Sequence, residues 1–585
     1  MRLVFGEPYT YLFLNDGGHY IFLGVSATPF EFRDRHGNRS LLTEQQTTDT
    51  IGRVINNPIP LPYVPSSAIL GEQPVGTQNL QYPGTSGPRP FQLVWSPMDT
   101  VLDTGETLRL LGGHNCQPSP AQPVSNALFP SLGFVACGGN LTANPVVLEK
   151  VVLPDNSSYR FKYNSFGEIT RIDYPTGGFE RFEYVQIFPL GEGYSPNNAA
   201  NRGVRYRWIS TGSSEYLWQY QAVRGTGSNP TYVVTTTAPD GSYTEQFLQN
   251  PVDSEANFGF AYPQKGRSYD ERSYGPGGTL YRRQLTEWSQ TGVGGLGRDV
   301  RPTKRVSVIF EPGHSSALAT LTETIYDSHS DPLYFAEINP KVSKTYNYVS
   351  VAASVASSAT LATAIGWFAS SSPARTVDNT YLYSPNYRDR NITGVVTQTS
   401  VFGPTGEVAR TQTFYDEAGQ YVMLTDVTAS NWENPATTYR AFPTTVRSWN
   451  NVSANQYIDT HAQYDQLGNL RKAWDSKGYL SQSIYSSAYD HAYLTETRTP
   501  IPDSSGSQGA NYELVSTTSY DFNTGLVTST ADPNNATTSI SYDALLRPTF
   551  SQAQNGQQTI TEYGAGIDAS SRWVKVRSQI DSTYW

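Results

Sequence analysis

The sequence predicts an all-β protein built from repeated hairpins, and three observations carry that prediction. The composition is rich in Tyr (40), Gly (49) and Pro (38) and poor in charge (16%), a mixture that suits short strands joined by turns. Strand-like alternation recurs with turn signals roughly every ten residues, and no segment sustains helical periodicity over three turns. A short unit, Tyr-Asp-x-x-Gly-x-hydrophobic, also returns along the chain, which marks a repeat architecture.

The elements follow in order. Residues 1–57 form a hairpin lead-in: "TYLFL" and "HYIFLGV" flank Asn15-Asp16-Gly17-Gly18, a strong tight-turn signal, and Asp49-Thr50-Ile51-Gly52 is a degenerate copy of the unit. Residues 58–144 read as a Pro/Gly-rich irregular segment, because the nine prolines at 58–97 remove ladder donors. This stretch is expected to cover other structure and not to form a sheet interior. Residues 145–345 alternate strands with turns such as Pro175-Thr176-Gly177-Gly178 and Pro239-Asp240-Gly241. Residues 346–375 are an Ala/Ser-rich insertion with a helical turn or two, too polar for a membrane span. Residues 376–585 resume the β rhythm to the final "RWVKVRSQIDSTYW".

The repeat unit has a physical logic. It is a strand end, a turn and the next strand start. Asp accepts backbone N–H groups two residues on, Gly supplies a positive φ, and Tyr packs its ring on neighbouring hairpins. The candidate positions are Tyr163 and Gly167; Tyr415, Asp416 and Gly419; Tyr464, Asp465 and Gly468; Tyr520, Asp521 and Gly525; and Tyr542 and Asp543. In the Tyr542 copy Leu546 replaces Gly, and Tyr326-Asp327 opens a degenerate copy with Ser330 at the Gly place. A single hairpin cannot bury its face, whereas stacked hairpins can.

Other signals exclude function classes. The net charge of −10 is spread along the chain with no basic stripe, which argues against a nucleic-acid partner. Cys116 and Cys137 are the only cysteines, and neither belongs to a CxxC pair. In an exported chain they are expected to form one disulfide; otherwise they are two buried thiols. The seven histidines form neither HxH nor HExxH, so no metal pair is expected, and there is no GxSxG nucleophile elbow. His461 reads as a strand residue. Gly292-Val293-Gly294-Gly295-Leu296-Gly297 matches GxGxxG, but Pro302 follows closely, so a flexible loop is expected and no cofactor. Trp208, Trp218 and Trp288 lie in polar strands, where inter-hairpin packing competes with sugar stacking. The first residues lack the zones of a signal peptide.

The Tyr-Asp-x-x-Gly copies, set in Tyr- and Thr-rich strands, resemble the YD-repeat, or RHS-repeat, family over 145–345 and 376–585. That resemblance implies a large β-sheet spiralling into a hollow, non-catalytic shell. In bacterial toxin systems such a shell encloses a C-terminal toxic polypeptide, and related animal proteins serve adhesion. It further implies a secreted or cell-surface protein whose main partner is the remainder of its own polypeptide. The alternative is an adhesion or glycan-binding module with a carbohydrate or cell-surface partner. The family's closing Asp-Pro-x-Gly core has no match: Asp331-Pro332-Leu333-Tyr334 and Asp532-Pro533-Asn534-Asn535 depart from it. The expectation is therefore a shell segment truncated before its core, which alone holds no cargo and self-associates through an open edge within 572–585.

Overall fold

The computed structural model describes residues 2–56 (except 7, 15, 25, 27, 44 and 45), 75–112 (except 86), 127–129, 144–186, 202–210, 214–224, 232–248, 266–293, 296–327, 339–422, 438–450, 456–564 and 573–579. The architecture is all-β. Residues 2–56 form a seven-stranded antiparallel meander from Arg2–Phe5 to Val54–Asn56, each strand paired with the next in sequence. A second, much larger sheet holds nearly everything else. It begins at Gly76–Tyr82, which pairs with Arg89–Pro97, which pairs with Val146–Val152. From there it proceeds almost entirely in sequence order to Val574–Ser578, paired with Gln558–Tyr563. No register joins Val574–Ser578 back to Gly76–Tyr82 among the described residues, so the sheet is an open ribbon and not a closed barrel.

Local chemistry explains the ribbon's order. Short polar turns allow only nearest-neighbour antiparallel pairing, and alternating side chains give each strand two different faces. The parallel exception is Tyr421–Val422, which lies along Tyr457–Asp465. The expectation of an irregular 58–144 is corrected in part. Arg89–Pro97 is paired on both sides and is therefore a sheet-interior strand. Its prolines explain how: Pro90 and Pro97 sit near the two ends of the strand, leaving the N–H groups from Phe91 to Ser96 for the ladders.

The Ala/Ser-rich segment also differs from a simple insertion. It contains the strand Val349–Ala352 and the short helices Ala353–Ser358 and Leu361–Gly366, the second N-capped by Thr360, whose hydroxyl accepts the Thr363 N–H at 3.2 Å. Ala356, Ala364 and Phe368 from this segment close a core made by Leu285, Val306, Val308, Phe310, Ala317, Ala319 and Leu321 of the sheet. Arg283 ties the pieces together: it pairs with Asp270 at 2.7 Å and donates to the Ala356 carbonyl at 2.9 Å. The helical segment is thus a plug on one face of the ribbon. The expected flexible loop at 292–297 is corrected in part: Gly292 pairs with Gly297 and Val293 with Leu296 at the ends of the strands Leu280–Val293 and Leu296–Phe310, while residues 294 and 295 lie outside the described residues. The β-branched run at Val306 and Val308 keeps that second strand extended, and Pro302 sits beside a register shift where the ladder tolerates it.

Candidate functional site

The repeat tyrosines share one stereochemistry. Tyr163 donates its hydroxyl to the Leu148 carbonyl (2.7 Å), Tyr415 to Val396 (2.7 Å), Tyr464 to Pro443 (3.3 Å), Tyr520 to Leu494 (2.8 Å) and Tyr542 to Val527 (2.8 Å). Every acceptor lies on the preceding, hydrogen-bonded strand, and Val396, Pro443, Leu494 and Val527 are the first residues of theirs. A register shift falls at each of these tyrosines where its strand meets the following one. A bulge disrupts the ladder and leaves backbone groups needing partners. The tyrosine hydroxyl supplies one at the strand start, so each hairpin is riveted to the one before it. Tyr184, Tyr381 and Tyr563 make the same rung, to Ile169, Pro340 and Pro548, although they lack the following Asp. Burial pushes the Tyr163 hydroxyl up to about 12 and raises Tyr415, Tyr464 and Tyr542 as well.

The acidic residue after the tyrosine fixes the turn. One Asp465 oxygen accepts the N–H groups of Leu467 (3.0 Å) and Asn469 (2.9 Å), and Asp543 does the same for Leu545 and Arg547 (2.9 Å each). Asn164 plays this part after Tyr163, and Asp521, in the longer copy, takes the N–H and hydroxyl of Thr524. Gly167, Gly419, Gly468 and Gly525 all have positive φ, between +72° and +96°. Leu546 holds the same place at +64°. Asp416 departs from the expected role. It is itself at φ +51°, and its carboxylate reaches across to the N–H groups of Arg440, Ala441 and Phe442 (2.8–3.0 Å) and accepts the Tyr387 hydroxyl. The next antiparallel partner of this strand begins at Pro443, so the acid anchors residues 440–442 just before that partner instead of its own turn.

These turns meet the small sheet end to end. The hairpin turns at 34–38 and 49–53 of residues 2–56 use the same Asp-based chemistry, with Asp34 accepting from His36 and Asn38 and Asp49 from Ile51 and Arg53, while near 14–18 Asp16 accepts the Gly18 N–H. They dock on turns of the ribbon. Asn391 donates to the Leu14 carbonyl at 2.7 Å, beside an Asp16–Ile392 bridge. Asn38 donates to Leu467, and Arg390 to the Arg35 carbonyl at 3.1 Å. Arg53 reaches the Tyr493 hydroxyl at 2.6 Å. Between them His36 stacks on Phe442 (centroids 5.0 Å apart, 13° between planes), and Phe442 stacks on Tyr464 (4.5 Å). The seam is polar yet buried: Arg440 and Asp465 are fully buried, and Arg440 donates to the Gln466 carbonyl. Buried polar groups held by directional hydrogen bonds of this kind favour one docking geometry.

The sequence singled out Asp465 and Gly468 but not His36, Asn391, Arg440 or Phe442. His36 meets Phe442, and Asn391 meets Leu14, across hundreds of residues, and Arg440 reaches Gln466 from a separate turn. The recurrence of Asp-x-x-Gly at Asp34 and Asp49 was the one available signal. Cys116 and Cys137 lie outside the described residues. Trp208 packs under the Arg181 guanidinium (3.6 Å), and Trp288 donates to the Ser268 carbonyl (2.8 Å). His461 lies in a strand, its Nδ1 3.0 Å from the Thr445 hydroxyl. Among the described residues no cluster of three His, Cys, Asp or Glu could hold a metal, and no helix is long and apolar enough to cross a membrane.

No protein-family model matches the chain, and no curated protein does. Solved structures that align with the chain include Tc toxin chains. The TcdB2-TccC3-TEV structure aligns with a TM-score of 0.42 and 10% identity, covering 100% of this chain and 34% of its own. The Photorhabdus luminescens Tc holotoxin pore carrying the TccC3 D651A mutation aligns at 0.43 and 10%, covering 99% and 33%. The chain thus spans about a third of the length of the solved chains it matches.

Proposed function

We propose that this chain is a YD/RHS-repeat shell segment, a non-catalytic wall of a secreted bacterial protein that encloses a toxin or effector polypeptide. The observation that carries the reading is the ribbon itself: one open sheet running in sequence order, with the tyrosine rung and the Asp turn repeated from hairpin to hairpin. Such a sheet has two faces of unequal access if it curls around a space, and two equivalent faces if it does not. The test uses that difference. With Cys116 and Cys137 replaced by Ser, Thr518→Cys and Ser519→Cys place single thiols on opposite faces of the strand Val515–Tyr520. A wall predicts that both react with a small maleimide, while one is at least about tenfold slower than the other toward a 5 kDa polymer maleimide. Equal polymer rates count against enclosure.

A second reading, glycan binding at a cell surface, has one observation in its favour. A cavity of about 450 Å³ lies at the seam, lined by Tyr9, Tyr11, Phe13, Glu31, Arg33 and Arg390. Rings beside charged hydrogen-bonding groups suit a saccharide face and rim. Saturable binding of an oligosaccharide that Tyr11→Ala abolishes supports this reading; no saturation across a glycan array counts against it.

A further inference from the structure

The His36 turn sits where the small sheet meets the ribbon, and its surroundings are chemically one-sided. The imidazole lies flat on Phe442 and fills the space over Gly468, where an added Cβ would stand 2.8 Å from the ring. Its Nε2 faces Arg35, whose Nε–H points at it from 3.4 Å, so in the neutral ring Nε2 accepts and Nδ1 carries the proton. Nδ1 is buried and has no hydrogen-bond partner among the described residues. The charged groups that face the ring are mostly cations: Arg35 from its own turn, Arg390 from the 385–392 turn and Arg440 from the 438–442 turn.

The carboxylates nearby are already engaged. Asp34 accepts from His36 N–H, Asn38 N–H and the Asn38 amide. Asp465, on the turn beneath the ring, holds Leu467, Asn469 and Arg471. Asp416, behind Phe442, holds the N–H groups of residues 440–442. A second ring proton would replace the Nε2 lone pair that faces the Arg35 donor and add a cation among three others. It would gain no new acceptor.

We propose that the His36 turn is an acid-released latch, in which protonation of the imidazole lifts the small sheet off the turns of the ribbon and neutral pH reseats it. The inference stands on the seam geometry and holds whether or not the ribbon encloses a polypeptide. The direction follows from linkage. Burial, opposed by Asp34 and reinforced by the arginines, lowers the His36 pKa to about 4 from an ordinary 6.5. The undocked state therefore binds more protons between those values. Docking is complete above about pH 6.5, weakens as pH falls and reaches its full loss below about 4. At pH 5 the docking equilibrium should be weaker by roughly thirtyfold.

Amide hydrogen exchange on the full chain tests the latch. Residues 440–442 and 466–469 are compared between wild type and His36→Phe at matched pH, which cancels the intrinsic pH dependence of exchange. Phe keeps the stack on Phe442 but cannot take a proton. The expected result is equal protection at pH 7.5, and at pH 5 a tenfold or greater acceleration in wild type only. A parallel response of both proteins overturns the latch. Should His36→Phe not fold, wild type alone decides, with the Asp532 turn (Asn534 and Ala536 N–H) as internal reference. Exchange at 466–469 must then rise relative to that reference as pH falls from 7.5 to 5, and an unchanged ratio overturns the proposal.

Discussion

At the scale of single residues, positive φ and free space are separable costs. Gly468 (φ +96°) and Gly556 (φ +83°) both occupy left-handed turn positions, but a Cβ at Gly556 meets nothing within 4 Å, whereas at Gly468 it strikes the His36 ring. Gly556→Ala should therefore lose about 1 kcal/mol from backbone strain alone. Gly468→Ala should lose more, by about 1–2 kcal/mol, because the His36 turn must also shift. Urea denaturation of the two variants side by side measures the difference, and equal losses would mean the ring moves freely. Leu546 poses the reverse case. It holds the Gly place of its turn at φ +64°, a conformation costly for a residue with a Cβ. Leu546→Gly relieves that strain but adds flexibility to the unfolded chain, so a net gain of about 0.5–1 kcal/mol is expected, read as a higher urea midpoint.

At the scale of elements, the rung and the plug make different demands. Tyr415→Phe keeps the ring and removes the hydroxyl that the Val396 carbonyl accepts at 2.7 Å. It should cost about 0.5–1.5 kcal/mol in a urea titration. Phe368→Ala empties a nearly buried position (3% exposed) in the cluster that seals the helical segment onto the sheet. The cost there should be about 3–5 kcal/mol. Ser354→Ala on the exposed side of the same segment should fall within about 0.5 kcal/mol of wild type.

These contrasts also show what was legible in the sequence. The Asp465 turn was readable because its hydrogen bonds close within five residues, so spacing alone reports them. The tyrosine rung was readable only as packing, since its acceptor is a backbone carbonyl about 15–26 residues earlier and carbonyls leave no mark on side-chain pattern. The plug was hidden because Ala356 and Ala364 bury almost no apolar area of their own, and small residues look like a loop when the facing strands are unknown. The seam was least visible of all: His36 and Phe442 meet across some four hundred residues, and Asp416 looks like its sister motifs while capping a different segment.

At the scale of the whole molecule, the ribbon should respond to alkali as a unit. Burial raises the pKa of Tyr163 to about 12, and of Tyr184, Tyr326, Tyr381, Tyr415, Tyr464 and Tyr542 in the same direction. These residues sit on successive parts of one sheet, and each donates its proton to a backbone carbonyl. A phenolate could not donate, and it would set its charge against the carbonyl oxygen. The folded state therefore retains protons that the unfolded chain releases near pH 10. The stability these groups contribute is complete below pH 10 and is lost as pH rises toward 12. Repeat arrays share stability between neighbours, so losses along the ribbon should appear as one steepening transition and not as separate local events. The urea midpoint should be flat from pH 8 to about 9.5 and then fall. Tyr163→Phe sharpens the test: it should start lower at pH 8, by about 0.5–1.5 kcal/mol for the missing hydrogen bond, yet decline less between pH 10 and 12. Parallel decline in both proteins would show that the Tyr163 hydroxyl titrates with its ordinary pKa, and that the rung is exposed to water in solution.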